Sequence, residues 1–251
     1  MRHTAMRTFG AVLSAATLTL SLAGCGSGTE SLDPQTTSAP DVTLFGGCTA
    51  DDPALDRAEV VAEANIDGVA ARNEIAYVPA DSDGPCANAL FTTFDGEPSA
   101  VPLGEAGIDT GSVQVVQLRG TERQLLLVRG EPHPRGGYEV HLFGGTDDEI
   151  GEVLADGHPV VGFVATDGGG APATATCTDA GGIATVTATT HEPPGVILAW
   201  DVHRSTYRLR GNRAVLVSSE QIRDAAADPL LRKEMPALFD PDDYFEDCLV
   251  S

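Results

Sequence analysis

Residues 207–216 read Tyr207-Arg208-Leu209-Arg210-Gly211-Asn212-Arg213-Ala214-Val215-Leu216. Two runs with strand character are joined by Gly211-Asn212, a two-residue link with glycine first. Such a link suits a type II′ turn and so fixes the register of the strands on either side. Just upstream, Val196, Leu198, Trp200 and Val202 alternate with Ile197, Ala199, Asp201 and His203, which gives one apolar face at the period of a β-strand. The reading of this stretch is an antiparallel hairpin with one side turned to a core.

The same grammar extends toward the N-terminus. Glu59–Ala64 and Asn73–Val78 flank the turn-rich Asn65-Ile66-Asp67-Gly68, and Ala89–Phe94 stops at Asp95-Gly96. Residues 113–118 lead through Arg119-Gly120-Thr121 into Gln124-Leu125-Leu126-Leu127-Val128, and residues 138–143 stop at Gly144-Gly145. The step from Ile75 to Leu125 nearly equals that from Phe94 to Phe143, which favours an internal repeat. A third copy is expected from residues 160–164, with a turn at Asp167-Gly168-Gly169-Gly170 and a strand over 183–188.

Units of about 40 to 50 residues made of several short strands mark propeller blades or a related β-array. The expected fold is all-β: repeated antiparallel, blade-like sheets in a partial or small propeller-like array, with short C-terminal helices. The units fall at about 58–105, 112–155 and 160–218 within a single domain, 41–251. Asp52-Pro53, Asp228-Pro229 and Asp240-Pro241 each pair a capping residue with proline at a helix start. Ser218 and Gln221 have capping-box spacing ahead of residues 222–227, so the tail 219–251 reads as helical.

The start of the chain carries another signal. Arg2 and Arg7, with no acidic residue near them, precede an apolar run over residues 9–22 broken only by Gly, Ser and Thr. A basic end followed by an apolar stretch is the layout of an export signal, and the run is short of the roughly 20 apolar residues of a spanning helix. Leu22-Ala23-Gly24-Cys25 follows, with Gly26 and Ser27 behind it. These residues resemble a bacterial lipoprotein signal, in which a cysteine thiolate takes a diacylglyceryl group and cleavage leaves that cysteine first. The resemblance implies a signal peptide over 1–24, lipidation of Cys25, and a lipid anchor, palmitate included, on the extracytoplasmic face of the cell membrane. A secretory signal with a chance cysteine is the alternative, and Met6 is an alternative start. Residues 25–40 are small, polar and proline-bearing, and read as a flexible tether with a root-mean-square span of roughly 20 Å.

About 225 residues remain after the signal, enough for one medium domain with a sizeable core. Asp and Glu number 37 against 15 Lys and Arg, a formal net charge of -22. That surface repels phosphate backbones and anionic headgroups, so nucleic acid is excluded as a partner and an acyl anchor must supply the hold on the membrane. With Cys25 acylated, Cys48, Cys86, Cys177 and Cys248 remain, an even number that reads as two disulfides in an exported chain. Three connectivities are open; proximity in sequence pairs Cys48 with Cys86 and Cys177 with Cys248.

Asn65-Ile66-Asp67-Gly68 with Asn73-Glu74-Ile75-Ala76-Tyr77-Val78 looks like a degenerate FG-GAP or VCBS repeat, and the resemblance covers about residues 58–218. In that family an Asp-x-Asp-Gly-x-Gly-x-x-Asp loop between two strands can hold calcium. The likeness implies Asn65, Asp67 and Asn73 as calcium candidates, although Val69 to Arg72 replaces the glycine-bearing run and the second copy, Leu118 to Arg123, has no aspartate. Calcium takes six to eight oxygens, so an Asx-type turn is the competing reading of the loop.

The chain has no Gly-x-Ser-x-Gly elbow, His-Glu-x-x-His or Ser-x-x-Lys, and its single lysine, Lys233, falls in the tail. His133, His141, His158, His191 and His203 are scattered without ligand spacing. Asp147-Asp148-Glu149 and Asp240-Pro241-Asp242-Asp243 have the composition of turns and helix starts, where carboxylates cap backbone N–H groups. Arg204, Arg208, Arg210 and Arg213 crowd one hairpin and balance carboxylates across strands or form an anion site. The function expected is a non-catalytic, membrane-anchored surface lipoprotein that binds a protein, a glycan or an envelope component. An exported hydrolase with dispersed carboxylates and a calcium-dependent structural module are the alternatives.

Overall fold

A computed structural model describes residues 42–69, 71–104, 108, 112–132, 137–146, 148–162, 171–191 and 197–250. The expected signal and tether, Cys25, His133, Asp147 and the expected turn at 167–170 lie outside them.

The chain opens with a small ribbon of β1 (Thr43–Phe45) and β2 (Cys48–Thr49), and a 3₁₀ turn at Pro53–Arg57. Asp52 caps that turn as its sequence suggests, its carboxylate accepting from the Ala54 N–H at 2.8 Å. Three antiparallel meanders follow. The first is β3 (Glu59–Ala64), β4 (Asn73–Val78), β5 (Ala89–Phe94) and β6 (Glu97–Pro102), in that spatial order. The second is β7 (Val113–Gln117), β8 (Gln124–Pro132), β9 (Tyr138–Gly145) and β10 (Ile150–Glu152), again each beside the next. After the short β11 (Leu154–Ala155) and β12 (His158–Pro159), the third is β13 (Ala173–Thr178), β14 (Gly182–Thr190), β15 (Ala199–Arg210) and β16 (Arg213–Ala227). β11 pairs with β16 in parallel at Leu154 and Arg213, which makes the third sheet six-stranded in the order β12-β11-β16-β15-β14-β13. The architecture is all-β with blade-like antiparallel sheets and, among the described residues, one short α-helix, α1 (Asp228–Glu234).

The hairpin of residues 207–216 forms as its turn dictates. Gly211 has φ +62°, the sign that the first position of a type II′ turn requires, and Arg210 stands opposite Arg213. Asp95 (φ +50°) and Gly96 (φ +89°) make the corresponding link between β5 and β6, with both residues left-handed as in a type I′ turn.

The continuous run Leu125-Leu126-Leu127-Val128 follows from the position of β8 in the middle layer. Leu125 and Leu127 pack with Val116, Val140, Leu142, Ile183 and Phe245 toward the third sheet. Leu126 and Val128 pack with Ile66, Ile75, Leu90 and Phe143 toward the first. A strand covered on both faces has no polar side to alternate with. All four side chains are fully buried, each contributing about 1.5 to 3 kcal/mol by the burial of its apolar surface.

Two expectations are corrected. Residues 160–162 are not strand, and the third meander runs from Ala173 to Ala227 rather than over 160–218. Residues 219–227 extend β16, so Ser218 and Gln221 are ladder residues opposite Thr206 and His203, not a capping box. The physical reason is length: β16 has 15 residues against 12 in β15, and the surplus is taken up by three register shifts. Such bulges increase local twist and bend the ribbon, and the fold includes a sheet curled into a half-barrel. Helix formation by residues 222–227 would forfeit the pairing of Ala199, Trp200 and Val202 with Ala227, Ala226 and Arg223.

Asp228 is the first helical residue of α1 rather than its cap. Its carboxylate accepts from the Trp200 indole at 2.9 Å and from Arg232 at 2.9 Å, tying the helix to the third sheet. Asp240 does cap, accepting from the Asp242 N–H at 3.0 Å. The last residues seal two sheet edges: the Phe245 N–H donates to Ala175 of β13 and the Val250 N–H to Val115 of β7, both at 2.8 Å.

Candidate functional site

Asn65, Asp67 and Asn73, the calcium candidates, sit at the joint between the first and second sheets. The Asn65 side chain accepts from the Gly68 N–H at 2.9 Å and the Asp67 carboxylate from the Val69 N–H at 2.8 Å, so both form Asx turns. The Asn73 amide donates to the Thr93 carbonyl at 3.1 Å.

The cation at this joint is Arg123. Its guanidinium donates to the Asp67 carbonyl at 2.5 Å and to the Gly145 carbonyl at 2.9 Å, linking the loop after β3 to the end of β9. Beside it, Gln124 and Asn65 exchange bonds: the Gln124 N–H donates to the Asn65 carbonyl at 2.8 Å, and the Asn65 N–H to the Gln124 side chain at 2.7 Å. Gly145 N–H completes the seam on Ile66 O at 3.1 Å. Gly68 and Gly211 lie against Arg123, so the tip of the β15–β16 hairpin meets the same guanidinium. Sequence reading passed over both Arg123 and Gln124. The available signal was a polar pair directly ahead of the wholly apolar run Leu125–Val128.

The four cysteines of the body pair as proximity suggested, Cys48 with Cys86 and Cys177 with Cys248. The second bond ties β13 to the C-terminal tail, where Asp247 also binds Arg119 and accepts from the Thr176 hydroxyl at 2.7 Å.

Of the histidines, His158 is exposed on β12, His203 half-buried on β15, and His191 pairs with Asp201. His141 on β9 is held by two carboxylates. Its Nδ1 is 2.8 Å from Glu152 of β10, while Glu139, two residues earlier on the same strand face, lies 3.7 Å from a buried and unpartnered Nε2. The Glu152 hydrogen bond raises its pKa above 6.5 against an opposing effect of burial, with the charges of Glu152 and Glu139 adding to the rise. A raised folded-state pKa makes this contribution full below the unfolded value and removes it as pH rises through the folded one. Urea midpoints of the wild type and His141→Gln are therefore expected to differ most near about pH 5.5 and to converge by about pH 9. A pH-independent difference would contradict this.

The remaining acidic and basic clusters are used locally. Asp148 accepts from the Thr146 hydroxyl at 3.2 Å, Asp242 pairs with Arg129 at 2.7 Å, and Arg204 pairs across the hairpin with Glu220 at 3.6 Å. Arg208, Arg210 and Arg213 are exposed. Compared with family models, curated proteins and solved structures, the chain gives no match.

Proposed function

We propose that this chain is an exported lipoprotein, anchored at the extracytoplasmic face of the membrane through Cys25, whose degenerate FG-GAP or VCBS-like β-repeat body binds a protein, glycan or envelope component without catalysis. The observation that carries this reading is the cysteine balance. The chain has five cysteines and four of them close two disulfides within the body. Paired cysteines are the mark of an oxidising compartment, which agrees with export. The fifth, Cys25, is left over within the chain and stands where Leu22-Ala23-Gly24 makes it the nucleophile for a lipid.

The anchor fits the charge. A body of net charge -22 gains nothing from anionic headgroups, whereas acyl chains contribute about 0.8 kcal/mol per buried methylene. No helix among the described residues is long and apolar enough to cross a membrane. Cys25→Ser in the full chain is expected to take up no lipid label and to keep residues 1–24 uncleaved, so that it accumulates as a longer precursor. A variant that is still lipid-labelled and still cleaved after residue 24 would overturn the reading.

A further inference from the structure

The last bulge of the β15–β16 ribbon gathers three metal-ligating side chains from separate parts of the chain. His191 directly follows β14, and its N–H donates to the Ala199 carbonyl at 2.9 Å. Asp201 lies on β15 where the ladder skips from Val202–Arg223 to Trp200–Ala226, and Asp224 is one of the two residues that the skip accommodates. His191 Nδ1 stands 3.0 Å from both oxygens of Asp201. Asp201 also accepts the Ala225 N–H at 2.9 Å, and Gln221 donates to Asp224 at 3.3 Å. One donor atom from each of His191, Asp201 and Asp224 falls within 4.8 Å of the other two.

What points to a cation is the charge at this spot. Two carboxylates face each other, and among the described residues neither forms an ion pair with lysine or arginine. Arg223, adjacent in sequence to Asp224, turns instead to Glu234 at 3.5 Å. Two ionised carboxylates at this separation repel unless they share a proton or a counter-cation. A bound cation relieves that repulsion with one donor atom from each of the three side chains already in reach, and an imidazole among the donors selects its class. Calcium and magnesium prefer oxygen alone, while zinc takes imidazole and carboxylate together.

We propose that His191, Asp201 and Asp224 bind one divalent transition-metal ion of the zinc type, with water completing its shell. The ion would pin the end of β14 to the bulge of β16 and so hold the bend of the β15–β16 ribbon. The site shares no residue with the Asn65–Asp67 loop and does not depend on the lipid anchor.

The test is titration of the chelator-stripped full chain in detergent with Zn²⁺, and separately with Ca²⁺, followed by calorimetry. One Zn²⁺ per chain is expected, with Asp224→Asn and His191→Gln each weakening it at least about tenfold and Ca²⁺ far weaker. Asp224 is exposed, so Asp224→Asn keeps the fold and decides the matter even if His191→Gln is unstable. Absence of saturable Zn²⁺ binding, or unaltered binding by Asp224→Asn, would overturn the proposal.

Discussion

Replacing Cys177 and Cys248 together by alanine is expected to lower the unfolding free energy by about 4 kcal/mol, because their bond closes a loop of 71 residues. The loop spans most of the third meander and returns the tail to β13. Without the bond, the tail retains its backbone bonds to Ala175 and Val115, the Asp247 contacts with Arg119 and Thr176, and the burial of Tyr244 and Phe245. Those contacts preserve the native arrangement, so the loss falls mainly on the unfolded state, whose ensemble expands. Urea unfolding at fixed pH measures the change directly. The Cys48–Cys86 bond closes 38 residues beside a smaller cluster and is expected to contribute slightly less. A loss under about 1 kcal/mol for the Cys177/Cys248 variant would contradict the role assigned to the tail.

Arg123→Met is expected to cost about 3 kcal/mol, since it removes two charge-assisted hydrogen bonds and strands the carbonyls of Asp67 and Gly145 at the joint of the first two sheets. Methionine retains the apolar stem, so the change isolates the guanidinium. Arg123→Lys is expected to recover less than half of the loss, because a single ammonium on a flexible stem does not reproduce the planar fork that reaches both carbonyls. The urea midpoint reports the change. Equal midpoints for Arg123→Lys and the wild type would show that charge alone suffices at the joint.

Much of the fold was legible because its turns and period are local properties. Gly211-Asn212 and Asp95-Gly96 set φ at the links and so set the registers beside them. The offset from Ile75 to Leu125 relates the second strands of successive meanders, β4 and β8, and that from Phe94 to Phe143 the third strands, β5 and β9. The bulges of β16 were not legible, since a surplus residue in a strand shows only against its partner. The spacing of Ser218 and Gln221 suits a helix start locally, and tertiary pairing with β15 overrides it. Likewise Asp228-Pro229 marks the start of α1 correctly, but the Trp200 indole, distant in sequence, takes the carboxylate from a capping role.

The site was less legible for the same reason. Asn65, Asp67 and Asn73 look like ligands in sequence because Asx turns and calcium loops use the same residues. Arg123, from the next repeat, is what occupies the joint, and it lies 56 residues from Asp67. The trio of His191, Asp201 and Asp224 has no sequence spacing to betray it, because strand pairing sets His191 beside Asp201 and a register shift in the next strand adds Asp224.

The central claim is the acylation of Cys25, and mass spectrometry of the N-terminal peptide from membrane-extracted protein tests it most directly. The expected peptide begins at Cys25 and carries the mass of a diacylglyceryl group on sulfur. A peptide that retains residues before Cys25, or a Cys25 with an unmodified thiol, would contradict it.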